Sequence, residues 1–314
     1  MPLNTILVPL DGSAESNAAL PLARTLAQAT GASVTLLRVL SHTGPEATQT
    51  IASNLEKVAS ELASSGIGVQ STVRQGRAAD EILAEVRARP TSLVVMRTHG
   101  RVGIERAILG SVTEQVLARC EVPVVLMRPG ERRITGIRKL LVPVDGSAGG
   151  ELAVGVAAGL AQQAGAAMHL VQVSVPVALQ GAPAFDGSSM AFYDPAWDDE
   201  SMAAARESVA GVTGRLRERG LNVDGNAVEA PDVAAAIVEM AEQDGADLVV
   251  MSTRALTGPA RTLLGSVADA VVRTAHCPVL LVHRLGAADD QPAPDTSTAA
   301  STSTSTSTST STAG

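Results

Sequence analysis

The segment Leu7-Val8-Pro9-Leu10-Asp11-Gly12-Ser13 returns later in the chain as Leu141-Val142-Pro143-Val144-Asp145-Gly146-Ser147, at an offset of 134 residues (145 less 11). Farther along, Gly110-Ser111 returns as Gly265-Ser266, at an offset of 155 residues (265 less 110). The second copy therefore carries an insertion of 21 residues (155 less 134), most of it between Val173 and Leu221. A repeat this long means duplicated domains rather than a solenoid, whose units are shorter. A chain of 314 residues has room for about two domains. The expected division is 1–130 and 137–285, with a linker at 131–136, an insertion at about 175–200 and a tail at 286–314.

Each copy alternates strand and helix signals. In the first, buried-strand runs cover Thr5–Leu10, Ser33–Leu40, Ile67–Arg74, Ser92–Met96 and Pro123–Met127. Helical patterns cover Ala14–Thr30, Pro45–Ser65, Arg77–Arg89 and Ser111–Arg119. Gly31 follows the first helix as a C-cap, and Pro90 stops the third. The strands are nearly continuous aliphatic runs, as parallel strands covered on both faces must be. The fold class is α/β, a Rossmann-like arrangement with a parallel sheet flanked by helices in each half.

Composition narrows the function. The net charge of −8 argues against a nucleic-acid partner or an anionic membrane surface. No apolar run approaches the roughly 20 residues of a membrane helix, and no basic-then-apolar leader opens the chain. Cys120 and Cys277 have neither disulfide density nor metal-ligand spacing. A cytoplasmic protein with buried thiols is expected. The aromatics Phe185, Phe192, Tyr193 and Trp197 all fall in the insertion. Residues 291–314 run from Pro/Ala into Ser-Thr repeats and are expected to be disordered.

The segment Thr98–Val112 leaves the fourth strand and enters a helix through Gly110-Ser111. Bare N–H groups and the positive end of a helix there suit a phosphate. Arg101 and Arg106 lie inside this loop, within reach of phosphate oxygens or simply solvated. His99 is a ligand or a packing residue. Asp11 and Asp145 end the first strands at the carboxyl edge, where open α/β sheets bind ligands. Each can accept hydrogen bonds from a ligand, or serve as a helix cap. Val39 and Val173 end the second strands, to present a backbone group to a ligand or to pack in the core. The Walker phosphate loop, the Gly-x-Ser-x-Gly elbow and a His-Glu-x-x-His pair are absent from the sequence. With no nucleophile–base pair, strong turnover is not expected.

The ordered set of Asp-Gly-Ser strand end, Gly100 with nine residues to Gly110-Ser111, and closing Val122-Pro123-Val124-Val125-Leu126 resembles the universal stress protein family. It occurs twice, the second time as Asp145-Gly146-Ser147, Leu264-Gly265-Ser266-Val267 and Cys277-Pro278-Val279-Leu280. The resemblance implies a five-stranded sheet in each half, two halves packed as a pseudo-dimer within one chain, and ATP, with or without Mg²⁺, as ligand. With it come Asp11 and Asp145 as acceptors for ribose or adenine, Val39 and Val173 as backbone readers of adenine, and at most slow, incidental ATP hydrolysis. A homodimer of such chains stays open, and a protein partner is unspecified. The family pattern Gly, two residues, Gly, nine residues, Gly, Ser falls on Arg97, Gly100, Gly110 and Ser111. In the second half it falls on Ser252, Ala255, Gly265 and Ser266. Arg97 either crowds the nucleotide or pairs with phosphate. The implied cradles are Pro9, Leu10, Asp11, Val39, Arg97, His99, Gly100, Arg101, Gly110, Ser111 and Val112 in the first half. Their counterparts are Pro143, Val144, Asp145, Val173, Ser252, Thr253, Ala255, Gly265, Ser266 and Val267.

Three functions compete. The first is a nucleotide-responsive stress-adaptation regulator, binding ATP best in the first domain. The second is a scaffold with vestigial pockets, working through the aromatic insertion, which otherwise serves as a lid or a space-filler. The third, an ATP-pyrophosphate-releasing ligase, needs a Ser-Gly-Gly-x-Asp-Ser loop where this chain has Asp11-Gly12-Ser13-Ala14.

Overall fold

Ile6, Leu7 and Val8 are fully buried in succession, so the first strand must be covered on both faces. Ile6 and Val8 point to one layer of apolar side chains and Leu7 to the other, following the period of two. The computed structural model describes residues 3–41, 43–98, 109–176, 196–253 and 264–283. In chain order these form β1 (Thr5–Leu10), α1 (Ala14–Asn17), α2 (Leu20–Thr30), β2 (Ser33–Leu40), α3 (Pro45–Ala63), β3 (Val69–Gln75), α4 (Ala78–Ala88), β4 (Leu93–Arg97), α5 (Ser111–Arg119) and β5 (Val124–Met127). The second copy supplies β6 (Lys139–Pro143), α6 (Ala148–Ala164), β7 (Ala167–Ser174), α7 (Ala196–Glu218), β8 (Val223–Glu229), α8 (Val233–Gln243), β9 (Leu248–Thr253), α9 (Ser266–Thr274) and β10 (Val279–His283).

The strand order is β3-β2-β1-β4-β5-β10-β9-β6-β7-β8. Each half is a parallel five-strand set, as expected, and the two sets join edge to edge into one sheet. The joint is antiparallel: Val279 faces Leu126, Leu280 faces Val125 and Leu281 faces Val124. Val125 and Leu280 hold the same place in the two copies (280 less 125 is 155). The pairing is thus self-complementary, as a two-fold interface requires. One layer packs α2, α3, α6 and α7 on the sheet, and the other packs α4, α5, α8 and α9. The outermost strands, β3 (VQSTVRQ) and β8 (VDGNAVE), are polar, which discourages further edge pairing.

The expected helix Ala14–Thr30 is broken. α1 ends at Asn17 and α2 starts at Leu20. Pro21 has no N–H, and its ring meets the carbonyl four residues earlier, on Asn17. The second copy has Gly155 at this place, and α6 runs unbroken from Ala148 to Ala164. Ser13 caps α1 and Ser147 caps α6, accepting the N–H of Ser16 at 3.0 Å and of Gly150 at 3.1 Å. In the insertion, α7 begins at Ala196, so Trp197 lies on a helix and is 46% exposed. Phe185, Phe192, Tyr193 and the 284–314 tail lie outside the described residues.

The connection between copies is tied down from both sides. Arg128 donates through Nε (3.1 Å) and Nη2 (2.8 Å) to the carbonyl of Ala275 and through Nη1 to that of Arg273, at the last turn of α9. A cation there also opposes the negative end of the helix. Asp247, 3% exposed, accepts the N–H groups of Arg138 (2.8 Å) and Lys139 (3.2 Å). Gln163 of α6 bonds Leu3 at both its N–H (2.7 Å) and its carbonyl (3.3 Å). Among the described residues, no helix is long and apolar enough to cross a membrane.

Glu131 sits in this connection with its side chain 3% exposed, accepting the N–H of Arg128 at 2.6 Å. Burial pushes its carboxyl from an ordinary 4.5 up to about 8, against the opposing pull of Arg128 and Arg97. The folded chain therefore keeps a proton that the unfolded chain gives up, and stability must fall as pH rises from about 4.5 to about 8. Glu131→Gln keeps the acceptor and removes the titration. Urea unfolding of this variant is expected to show a flatter pH dependence across that window and higher stability than the parent at pH 8.

Candidate adenine-nucleotide cleft

β1 lies between β2 and β4, so the chain's winding reverses at the carboxyl ends of β1 and β4. Ligands of open α/β sheets bind at such a point. A cleft of about 110 Å³ opens there, walled by the ends of β1, β2 and β4 and by α4 and α5. Pro9, Leu10, Asp11, Val39, Arg97 and Val112 all line it. Leu37, Ala78, Ile82 and Met96 add a largely apolar wall, and Glu15, Ser16, Thr98 and Thr113 add polar groups. Sequence reasoning did not single out Leu37, Ile82 or Met96; their signal was position, one to three residues short of a strand end or in the first half of α4.

Asp11 is exposed at the mouth, and its Oδ1 accepts from Ser13 N at 2.9 Å and Ser13 Oγ at 2.6 Å. Ser13, not Asp11, caps α1. Asp145 repeats this turn with 3.0 and 2.6 Å to Ser147. The carboxylates thus shape their own loops through one oxygen. Arg97 closes β4, in an extended backbone that any residue can take, so the arginine in place of glycine brings no strain. Its Nε is buried without a hydrogen-bond partner. Thr98 is turned away from this role, its Oγ1 donating to the carbonyl of Met127 at 3.1 Å.

Gly110 and Ser111 start α5. No side chain caps this end, which leaves its N–H groups for an anion. Gly110 has φ −66°, whereas its counterpart Gly265 has φ +75°, so glycine is required only in the second copy. Val267 follows Ser266 in the first turn of α9. His99, Gly100, Arg101, Arg106, Arg254, Ala255 and Arg261 lie outside the described residues.

In the second cradle Ser252 and Thr253 are the counterparts of Arg97 and Thr98. Ser252 packs against the start of α6, its Oγ 3.4 Å from where a Cβ on Gly149 would stand. Thr253 is 3% exposed, and its Oγ1 is 2.7 Å from His283 Nδ1. Burial pushes His283 down to about 4, so it is neutral and its Nε2 is buried unpartnered. Pro143, Val144, Asp145 and Val173 end β6 and β7 as their counterparts end β1 and β2. No group of three or more His, Cys, Asp or Glu among the described residues is arranged for a metal.

Residues 2–128 and 136–283 both match the family model described as the universal stress protein family. The chain belongs to the universal stress protein family. A universal stress protein of Methanocaldococcus jannaschii is 34% identical over 150 residues, spanning 47% of this chain and 82% of that protein. One of Mycolicibacterium smegmatis is 26% identical over 299 residues, spanning 88% of this chain and 96% of that protein. The crystal structure of a universal stress protein from Archaeoglobus fulgidus superposes with a TM-score of 0.69 at 21% identity, over 90% of this chain and all (100%) of that one. That likeness establishes the shared α/β fold.

This universal stress protein keeps both thiols out of reach. Burial raises the Cys120 thiol and pushes that of Cys277 up to about 12, and both side chains are buried. A thiol-specific chromogenic reagent at pH 8 is expected to find no fast-reacting cysteine in the native protein and two once it is unfolded.

Proposed function

We propose that this universal stress protein binds an adenine nucleotide, ATP with Mg²⁺ carried on its phosphates, in the cleft of its first half. It acts through occupancy rather than turnover, as a stress-adaptation regulator in the cytoplasm. The observation that carries this reading is the convergence of Asp11, Val39 and Arg97 on one cleft at the switch point of the sheet. Leu37, Val39, Ile82 and Met96 offer an apolar slot of about 110 Å³ for the base alone, with ribose and phosphates outside it along Asp11, Arg97 and the start of α5. Asp11 is the acceptor for ribose hydroxyls. Arg97, with a buried unpartnered Nε, is the cation for phosphate, and the uncapped start of α5 supplies N–H donors. The second half is the weaker binder, because Ser252 stands where the first half has Arg97 and brings no cation for phosphate. The domain division 1–130 and 137–285 belongs to the same reading.

Calorimetric titration of the full chain with Mg-ATP is the test. Asp11→Ala is expected to weaken binding about tenfold, the effect of one charge-assisted hydrogen bond. Arg97→Gly should weaken it too; tighter binding would make Arg97 an obstacle instead. No heat and no thermal shift at millimolar Mg-ATP would overturn the reading. The exposed Trp197 favours the scaffold alternative, since exposed aromatics anchor interfaces. A change in oligomeric mass on Trp197→Ala, without any ATP response, is the result that alternative requires.

A further inference from the structure

The two copies differ beside the Asp-Gly-Ser turn. In the first, Arg38 of β2 pairs with Leu10 across the strand register. Its Nη1 donates to the carbonyl of Leu10 at 3.3 Å. Its guanidinium lies so close over Gly12 that a Cβ there would stand 2.5 Å from Nη1. In the second copy Arg38 is replaced by Gln172, just as Val39 is matched by Val173. β6 and β7 keep the register, with Pro143 opposite Val171, so Gln172 stands beside Val144. No atom lies within 4 Å of where a Cβ on Gly146 would be. The Oε1 of Gln172 is buried and accepts no hydrogen bond.

A cavity of about 470 Å³ borders Val144 and Gly146 here. Val144, Val154 and Val212 form its apolar floor, on the α6–α7 layer of the sheet rather than the layer that walls the first-half nucleotide cleft. Its size falls within the roughly 300–1,000 Å³ of small-molecule sites. Glu151, Glu207 and Arg215 stand around it. Arg215 Nη2 is 2.6 Å from Glu151 Oε1. The carboxylate of Glu207 has no ion pair among the described residues.

We propose that this cavity binds a small organic cation bearing a guanidinium group, seated where the Arg38 guanidinium lies in the first copy. The cavity borders Val144, whose counterpart Leu10 accepts the Arg38 guanidinium through its carbonyl, and a guanidinium supplies five donors and no acceptor. The first copy demonstrates that the backbone at this strand end receives a planar guanidinium over the glycine. Glu207 offers the countercharge. Two glutamates against one arginine disfavour an anion. The valine floor accommodates an aliphatic chain.

Agmatine, a guanidinium on a four-carbon chain ending in an ammonium, is the probe, titrated calorimetrically into the full chain. Binding is expected, with putrescine at least about tenfold weaker because it has no fork of donors. Gln172→Arg puts the first-copy guanidinium back and is expected to abolish agmatine binding without lowering Tm. Glu207→Gln, an exposed change that leaves the fold alone, should weaken agmatine about tenfold. Mg-ATP affinity should be the same in both variants as in the parent, so failure of the nucleotide reading and of this one are read separately. No agmatine binding at millimolar concentration, equal binding of putrescine, or binding unchanged in both variants would overturn the proposal. So would an arginine-bearing peptide that binds the cavity while free agmatine does not.

Discussion

Three residues of β5 against three of β10 decide the shape of the whole molecule. Val124, Val125 and Leu126 meet Leu281, Leu280 and Val279, and through them two parallel five-strand sets become one sheet. Among the described residues every other strand pair is parallel and lies within a copy. The joint also fixes what stands near it. It brings Arg128 to the end of α9 in the other copy, and it encloses Glu131 beside Cys277. A carboxyl that keeps its proton near neutrality is a consequence of burial at this seam rather than of any motif.

Duplication sets a common backbone, and single residues then make the copies unequal. Pro21 breaks a helix that Gly155 leaves whole. Arg38 fills a space that Gln172 leaves open. Arg97 holds a buried donor without a partner where the second copy has the short Ser252. The two halves therefore share architecture and differ in what each can hold. The first copy has a cleft at its switch point, and the second has a cavity on the other layer of the sheet.

Much of the fold was legible because local rules and burial agree. β1, β2 and α5 begin and end where aliphatic runs and glycine or proline punctuation say they should. The break at Pro21 was legible in principle, since its ring reaches back four residues, but the apolar pattern ran straight through it. The β5–β10 pairing was hidden for a different reason: nothing local records which edge a strand presents to a distant copy. In the cleft, strand-end residues such as Asp11, Val39 and Arg97 announce themselves by position. Leu37, Ile82 and Met96 do not, because a wall residue of an apolar slot has the same chemistry as a core residue. Gln172 was silent as well, since its meaning lies in the contrast with Arg38.

The seam between β5 and β10 is held within a single covalent chain. An interface of this kind between separate subunits loosens on dilution, whereas tethered partners meet at an effective concentration set by the connection, here the short stretch between Met127 and Lys139. The pairing is therefore independent of how much protein is present. It also frees evolution from symmetry. In a homodimer each substitution lands on both sides of the two-fold axis at once, but here a change such as arginine to glutamine is made on one side only. One copy can specialise while the other continues to hold the sheet.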